Sequence, residues 1–353
     1  MPRALLHMKD RRVLWEMPPW VPARIRAAFG ADWELLAIEE AADGSGDGAS
    51  GASVELLEAV RPAEVYLGFG IPTDILEAGR GLRWVHSGTA GVGGSLTPQM
   101  RERDLIFTNS AGIHAPPMAE TVVGMILHFL RGLDLASRDQ QRRVWSTEAY
   151  EARRPRELAE CTVGIVGFGG IGREVARRVA ALGARVVASK RTPAREGADD
   201  LEAVAGGGRL GDHVDVGHGR EGLDRVLRES DVVVLSAPET DETRGMIDAD
   251  ALVRMKDGVI LVNVARGKLI DEKALERALR SGRVRGAGLD VFAREPLPED
   301  HPFWSLPNVL VTPHVSAVTD GFWERETALI VENVGRYLAG EPLRNTVDKA
   351  AGY

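Results

Sequence analysis

The chain has 353 residues, more than one typical domain, and 44% of them are hydrophobic, which is ample for two cores. A net charge of −8 with no long basic block argues against a nucleic-acid partner, and a single cysteine, Cys161, excludes an intramolecular disulfide and suits a reducing, cytoplasmic setting. Residues 1–12 carry scattered charges and no apolar core, so they do not read as a signal peptide; the longest apolar run, about 121–130, contains His128 and is too short to cross a membrane.

In chain order, 12–15 and 33–38 read as short strands on either side of a helix at 21–29. Residues 42–53 are rich in Gly, Ser, Ala and Asp and read as a flexible loop. Further short strands are expected at 65–68, 83–86 and 106–108. One long helix is expected over 116–142, with apolar side chains at Val122, Met125, Ile126, Phe129 and Leu133. An apolar strand at 162–166 then runs into Gly167-Phe168-Gly169-Gly170-Ile171-Gly172, followed by a helical pattern to 182 and a second strand at 185–189. The polar, Gly-rich stretch 197–221 reads as a loop or insertion. Beyond it strand and helix alternate: 231–235, a helix near 249–255, 259–264, a helix at 271–281, 286–291 and 309–312. The tail 321–338 is helical, with Phe322, Leu329, Ile330 and Val334 as its apolar positions. Such alternation predicts an α/β chain with parallel sheets and helices on both faces.

The glycine-rich turn is the strongest local signal. Strand, Gly-x-Gly-x-x-Gly, helix and second strand come in the order a dinucleotide-binding unit requires. Gly167 permits the tight turn, Gly169 lets a pyrophosphate approach the backbone, and Gly172 lets the helix pack on the strand. The helix start offers free N–H groups and a positive dipole to phosphate. An NAD site usually carries an acidic residue about 20 residues further on, bonded to the ribose 2′-hydroxyl. Here Ser189-Lys190-Arg191-Thr192 stand in that place, with no carboxylate before Glu196. Two cations and two hydroxyls suit a 2′-phosphate, which favours NADP(H), with NAD(H) the alternative. The plain alternative for these residues is a solvated basic turn.

Chemistry in such a sheet collects beyond the carboxyl ends of its strands. Three ionisable side chains lie just past three successive strand ends: Arg266 in Asn263-Val264-Ala265-Arg266-Gly267, Glu295 in Asp290-Val291-Phe292-Ala293-Arg294-Glu295, and His314 in Thr312-Pro313-His314. An arginine fork suits a carboxylate or carbonyl, and a histidine suits proton transfer to an oxygen. A carboxylate beside that histidine raises its proton affinity and fixes its tautomer. Taken singly they could be a surface ion, a solvated acid and a strand-end cap; together they read as a catalytic set. The remaining histidines show no metal-ligand spacing, so no metal site is expected.

The segments TVGIVGFGGIGREVA, VVLSAPETDETRGMID, LVNVARGKLIDEKAL, GLDVFAREPLP and NVLVTPHVSA resemble the D-isomer-specific 2-hydroxyacid dehydrogenase family, within which the chain looks like a glyoxylate/hydroxypyruvate reductase. The resemblance covers nearly the whole length, weakest before Tyr66 and in 197–221. It implies that Arg266 binds substrate carboxylate and carbonyl, that His314 is the acid/base, and that Glu295 is its partner. It puts Asp290 near the nicotinamide amide, and Ala237, Pro238, Thr240 and Thr243 by the adenosine and phosphates, with Val264 and Ala265 also at the cofactor. Ser87-Gly88-Thr89-Ala90-Gly91-Val92 is similar to the family loop whose backbone N–H groups hold the substrate carboxylate, an anion nest. Gly93-Gly94 follow where the family often has Asp. His114 is a further candidate for the pocket wall, or a packing residue at a helix start.

The family fold implies two Rossmann-like domains with doubly wound parallel sheets and an interdomain active-site cleft. The substrate-binding domain would comprise 1–111 plus 314–353, and the dinucleotide-binding domain 112–313. The implied activity is reversible reduction of a small 2-keto acid to a D-2-hydroxy acid with NAD(P)H. The implied assembly is a homodimer through the cofactor domain, with the helix at 116–142 and Trp145 at the contact. Three other readings share the fold. A formate dehydrogenase has glutamine where Glu295 stands. An S-adenosylhomocysteine hydrolase needs cysteine and lysine motifs not found here. A co-repressor of the C-terminal-binding-protein type keeps the triad to sense NAD(H).

Overall fold

The computed structural model describes residues 1–42, 52–192, 214–350 and 352. Glu196, His213 and most of the two stretches read as loops, 42–53 and 197–221, fall outside the described residues. The chain divides into two compact units, Met1–His114 with Val318–Tyr353, and Ala115–Ala317. Residues 112–114 thus belong to the first unit and 314–317 to the second, so His314 shares a unit with Arg266 and Glu295.

The first unit is a five-stranded parallel sheet ordered β2-β1-β3-β4-β5. In chain order its elements are β1 (Arg3–His7), α1 (Trp20–Phe29), β2 (Glu34–Ala37), α2 (Val54–Val60), β3 (Val65–Gly68), α3 (Thr73–Ala78), β4 (Trp84–Ser87), α4 (Pro98–Glu102) and β5 (Ile106–Asn109). The closing helix, Phe322–Ala339, returns to this unit. β1 was not foreseen, and 12–15, expected as a strand, is a single 3-10 turn at Val13–Trp15. The reason is local. Asp10 accepts hydrogen bonds from the Arg12 N–H at 2.8 Å and from its guanidinium, which curls the chain where a strand would have to stay extended. α1 buries Val21, Ile25 and Phe29, an i, i+4, i+8 stripe. Each contributes roughly 1.5–3 kcal/mol by leaving water. This stripe and the closing helix cover one face of the sheet, while α2 and α3 pack with Tyr66, Val85 and Phe107 on the other.

The second unit is a seven-stranded parallel sheet ordered β12-β11-β10-β9-β6-β7-β8. It opens with α5 (Ala115–Leu130), α6 (Leu133–Arg142) and α7 (Glu148–Arg153). The helix expected as one piece over 116–142 is two, broken at Gly132, whose φ of 69° is left-handed and ends regular helix. There follow β6 (Thr162–Val166), α8 (Gly170–Ala181), β7 (Arg185–Lys190), β8 (Val214–His218), α9 (Gly219–Glu229), β9 (Val232–Leu235), α10 (Ala249–Arg254), β10 (Val259–Asn263), α11 (Glu272–Arg280), β11 (Val284–Leu289) and β12 (Val309–Val311). The closing helix is therefore α12.

The expected loop at 197–221 is corrected over its described part: 214–218 is an edge strand paired to β7, and α9 begins at Gly219. An edge strand needs little apolar surface. Its glycine is a packing device, because a Cβ on Gly217 would sit 2.7 Å from the Gly222 Cα. Glycine serves the same end in β11, where a Cβ on Gly286 would lie 2.5 Å from the Phe129 ring of α5. Strand order reverses direction across the β6–β9 pair, so the carboxyl ends of these strands form the switch point at which such sheets take ligands.

Candidate active site

The turn after β6 shows which glycines the fold needs for itself. Gly167 has φ +93°, and a Cβ there would lie 2.5 Å from the Ala237 nitrogen. Its N–H donates to the Ser189 carbonyl at 3.0 Å, and its carbonyl accepts from the Ser236 hydroxyl at 2.7 Å. A Cβ on Gly172 would approach the Gly167 carbonyl oxygen to 2.3 Å, so α8 can pack on β6 only with glycine there. Gly169 differs: a Cβ at that position would meet nothing within 4 Å. The protein's own packing does not require that glycine, and its absent side chain leaves the backbone there open to close approach. α8, which starts at Gly170, carries no side-chain cap, so the N–H groups of its first turn, those of Ile171 and Gly172 among them, face outward with the positive dipole. These residues fit the pyrophosphate of a dinucleotide. Phe168 is buried, with the Arg173 guanidinium 5.6 Å from its ring centre.

At the end of β7, Ser189 is buried and its carbonyl supports the turn; Lys190 is half-exposed, and Arg191 and Thr192 are exposed. Next to the turn, Ala237 is buried, while Pro238, Thr240 and Thr243 form a self-bonded loop. The Thr243 hydroxyl donates to the Pro238 carbonyl at 2.7 Å and accepts from the Thr240 N–H at 2.8 Å.

Arg266 stands just beyond β10, where the buried Asn263 shapes the turn. Its amide oxygen accepts from the Ala265 N–H at 3.0 Å, and its amide nitrogen donates to the Arg266 carbonyl, also at 3.0 Å. Val264 and Ala265 are buried, and the Arg266 side chain reaches solvent, with one nitrogen donating to the Ala265 carbonyl at 2.8 Å. Gly267 makes this possible, because a Cβ there would fall 1.9 Å from the Phe292 carbonyl carbon. The segment bearing Arg266 and the segment leading to Glu295 therefore touch backbone to backbone.

Glu295 and His314 meet. The Glu295 Oε2 lies 2.7 Å from His314 Nδ1, and its Oε1 accepts from the Phe292 N–H at 2.9 Å. Burial alone would raise the Glu295 carboxyl. The hydrogen bonds from His314 and Phe292 and the nearby charges of His314 and Arg266 outweigh it and hold the carboxyl below its ordinary value. An ionised carboxylate on Nδ1 favours the tautomer with its proton there, leaving Nε2 as the ring nitrogen that Glu295 does not engage. The His314 side chain is 50% exposed, so that nitrogen is within a ligand's reach.

The backbone of His314 is held from below by Asp290, which is fully buried. The Asp290 Oδ1 accepts from the Thr312 hydroxyl at 2.6 Å and the Val315 N–H at 3.0 Å, its Oδ2 from the Ser316 N–H at 3.1 Å, and its carbonyl from the His314 N–H at 2.9 Å. Both carboxylate oxygens are thus committed to the loop that carries His314. This offsets the φ of 55° that His314 adopts, unusual for a residue with a side chain. Asp290 was singled out in sequence for the cofactor, and its clamp on the histidine loop was missed. Thr312 beside it, two residues before the histidine, was the available signal.

In the first unit, the loop after β4 was expected to offer N–H groups from Gly88 to Val92. Gly88 does not offer its own: that N–H donates to the Gly68 carbonyl at 2.7 Å, and a Cβ on Gly88 would strike Met8 at 2.3 Å, so this glycine serves packing. The Thr89 N–H points at the Ser87 hydroxyl at 3.4 Å. The N–H groups of Ala90, Gly91 and Val92 have no hydrogen-bond acceptor among the described residues. His114 stacks on Phe322 with centroids 5.2 Å apart and planes at 9°, and burial lowers its proton affinity. Cys161 is buried, and burial pushes its thiol up, away from reactivity.

The model of the D-isomer specific 2-hydroxyacid dehydrogenase NAD-binding domain matches residues 123–316. A hydroxypyruvate reductase from Thermotoga maritima is 34% identical over 270 residues, 76% of this chain and 81% of that protein. The chain also matches D-3-phosphoglycerate dehydrogenases, of whose length it spans about half. A D-isomer specific 2-hydroxyacid dehydrogenase from Xanthobacter autotrophicus, solved with NADPH, superimposes with a TM-score of 0.78 at 29% identity, covering 100% of this chain and 99% of that one. An NADPH-dependent glyoxylate/hydroxypyruvate reductase from Sinorhizobium meliloti, solved with NADP and sulfate, gives a TM-score of 0.76 at 26% identity and full coverage of both chains. Among the described residues no helix is long and apolar enough to cross a membrane.

Proposed function

Because the chain belongs to the D-isomer specific 2-hydroxyacid dehydrogenase family, we propose that it reduces a small 2-keto acid to the D-2-hydroxy acid, reversibly, with NADP(H) preferred to NAD(H). The observation that carries the reading is the 2.7 Å contact of His314 Nδ1 with Glu295, beside Arg266 on the adjoining strand end. When bound, the reduced nicotinamide supplies the hydride to the carbonyl carbon. Protonated His314 gives the Nε2 proton to the carbonyl oxygen, and Glu295 steadies the cation before transfer. Arg266 pairs with the substrate carboxylate and polarises the carbonyl, as a fork of parallel donors can. In the first unit, the N–H groups of Ala90, Gly91 and Val92 are donors suited to a carboxylate. Gly167 to Gly172 take the pyrophosphate, and Lys190 with Arg191 takes the 2′-phosphate.

The direct test is steady-state reduction of glyoxylate, hydroxypyruvate, pyruvate, phenylpyruvate and a branched keto acid, each with NADPH and NADH. Turnover of at least one, with a chiral product of D configuration where the product has a stereocentre, is expected. Tight dinucleotide binding with no turnover across the panel would favour the cofactor-sensing reading instead. We further propose a homodimer through α5, α6 and the following loop, where Leu133, Val144 and Trp145 stand exposed, Trp145 by 98%. Sedimentation giving a monomer at micromolar concentration would reject it.

A further inference from the structure

Beneath the loop after β4 lies a buried polar chain to which the roles above assign no task. It joins three segments far apart in sequence: His86 on β4, Ser110 just after β5, and Glu326 on α12, all fully buried. The Glu326 Oε1 lies 2.9 Å from His86 Nε2 and 2.9 Å from the Ser110 hydroxyl. The far side of the His86 ring is fixed by the Thr108 hydroxyl at 2.9 Å, which also accepts from the Trp84 indole N–H. A carboxyl placed wholly inside a protein is costly unless it is held this way, and α12 has apolar residues enough to have done without it.

The chain ends on the loop. The Ser110 hydroxyl is 3.0 Å from the Ser87 carbonyl oxygen, and the Ser110 N–H donates to the Thr89 carbonyl at 3.2 Å. The neighbouring Asn109 amide donates to the Ala90 carbonyl at 2.8 Å, and the Thr89 hydroxyl to the Gly91 carbonyl at 2.8 Å. The peptide unit is planar and trans, so the N–H of each residue points opposite the carbonyl before it. Holding the carbonyls of Thr89, Ala90 and Gly91 therefore aims the N–H groups of Ala90, Gly91 and Val92 the other way. Those are the amides without an acceptor among the described residues.

We propose that Glu326, acting through Ser110 and braced by His86, is a positioning residue that holds Ser110 against the Thr89 carbonyl, and so sets the direction of the Ala90 amide and the affinity of this run of amides for the substrate carboxylate. The inference rests on the reading of that loop as the carboxylate site. Its test uses Glu326→Ala, Ser110→Ala and Glu326→Gln in the full chain, with three measurements: amide hydrogen exchange at Gly88 and residue 110, KM and kcat for a keto acid the wild type reduces, and melting temperature. Glu326→Ala and Ser110→Ala should raise KM roughly tenfold with kcat changed about twofold or less, and speed exchange at Gly88 and at residue 110, whose N–H groups are hydrogen-bonded. NADPH affinity should be unaltered. Glu326→Gln should recover most of the loss, because Oε2, the atom it replaces, has no hydrogen-bond partner to lose. Should Glu326→Ala prove too unstable to study, Ser110→Ala, which removes one hydroxyl, decides alone. Exchange and KM equal to wild type, with only the melting temperature lowered, would overturn the proposal as mere core structure. Faster exchange with an unchanged KM would uphold the positioning of the amides and remove the carboxylate reading of the loop instead.

Discussion

At the scale of single residues, the polar groups around His314 are tied into its supporting turns. Asp290 spends its whole carboxylate on the histidine's loop, Phe292 and His314 share Glu295, and Asn263 closes the turn beneath Arg266. Two substitutions should then fail by different routes. His314→Ala removes a proton donor that acts in the transition state, so kcat should fall roughly 100-fold or more. Arg266→Ala should raise KM as well, since the carboxylate is held in the ground state too. Near wild-type kcat/KM in either variant would refute the assignment. Asp290→Asn should mimic a weaker His314→Ala, losing kcat through a displaced ring rather than a missing one. A crystal structure of that variant with the 312–316 loop unmoved would count against the clamp.

At the scale of elements, the glycine turn separates what the fold needs from what a ligand needs. Gly172→Ala forces a Cβ to within 2.3 Å of the Gly167 carbonyl, so it should destabilise the second unit by about 1–3 kcal/mol or more. Gly169→Ala meets nothing within 4 Å and should leave the melting temperature nearly untouched, yet weaken dinucleotide binding. Equal losses of stability in the two would sink the distinction. A second element-scale test concerns Asp231, which accepts from the Thr162 N–H at 2.9 Å, Arg156 at 3.0 Å and Lys256 at 3.3 Å, tying β6 to its surroundings. Burial would raise its carboxyl, but these partners outweigh burial and hold it below the ordinary value of 3.8. A depressed carboxylate stabilises the fold fully above its unfolded value and loses that contribution as pH falls through the folded one. The stability gap between wild type and Asp231→Asn should therefore be constant near neutrality and close as pH drops below about 3.8; denaturant titrations at several pH values check it.

Much of this architecture was readable because buried parallel strands are continuous apolar runs, as at Val232–Leu235 and over 259–262. The strand ends likewise brought Glu295 and His314 to the same edge. What could not be read has physical causes. β8 is an edge strand with little apolar surface, so Val214–His218 resembles a loop. The break at Gly132 depends on one backbone angle inside an unbroken amphipathic pattern. The link between His86 and Glu326 spans 240 residues and has no local signature at all.

At the scale of the whole molecule, the proposed preference between two anionic cofactors turns on charge. The chain carries −8, so its long-range field repels both a keto acid and a dinucleotide, and NADPH more than NADH. Any preference for NADPH must be made at contact, where Lys190 ends β7 and Arg191 follows it, in the place an acidic ribose clamp would occupy. Contact wins on magnitude. Unit charges about 4 Å apart interact by about 4 kcal/mol at an effective dielectric near 20, whereas charges more than about 8 Å apart are largely screened at physiological salt. Each charge-assisted phosphate bond adds about 1.5–3 kcal/mol before exposure discounts it, so a preference of some tens-fold in kcat/KM is the expected result. Lys190→Ala combined with Arg191→Ala should remove most of it while leaving kcat with NADH near wild type. Raising salt from about 0.15 M to about 1 M shortens the screening length from about 8 Å to about 3 Å and should shrink the same preference in the wild type. Equal kcat/KM for the two cofactors at the lower salt, or a preference that survives the double substitution, would reject the phosphate clamp and still leave the chemistry at Arg266, Glu295 and His314 to be judged on its own kinetics.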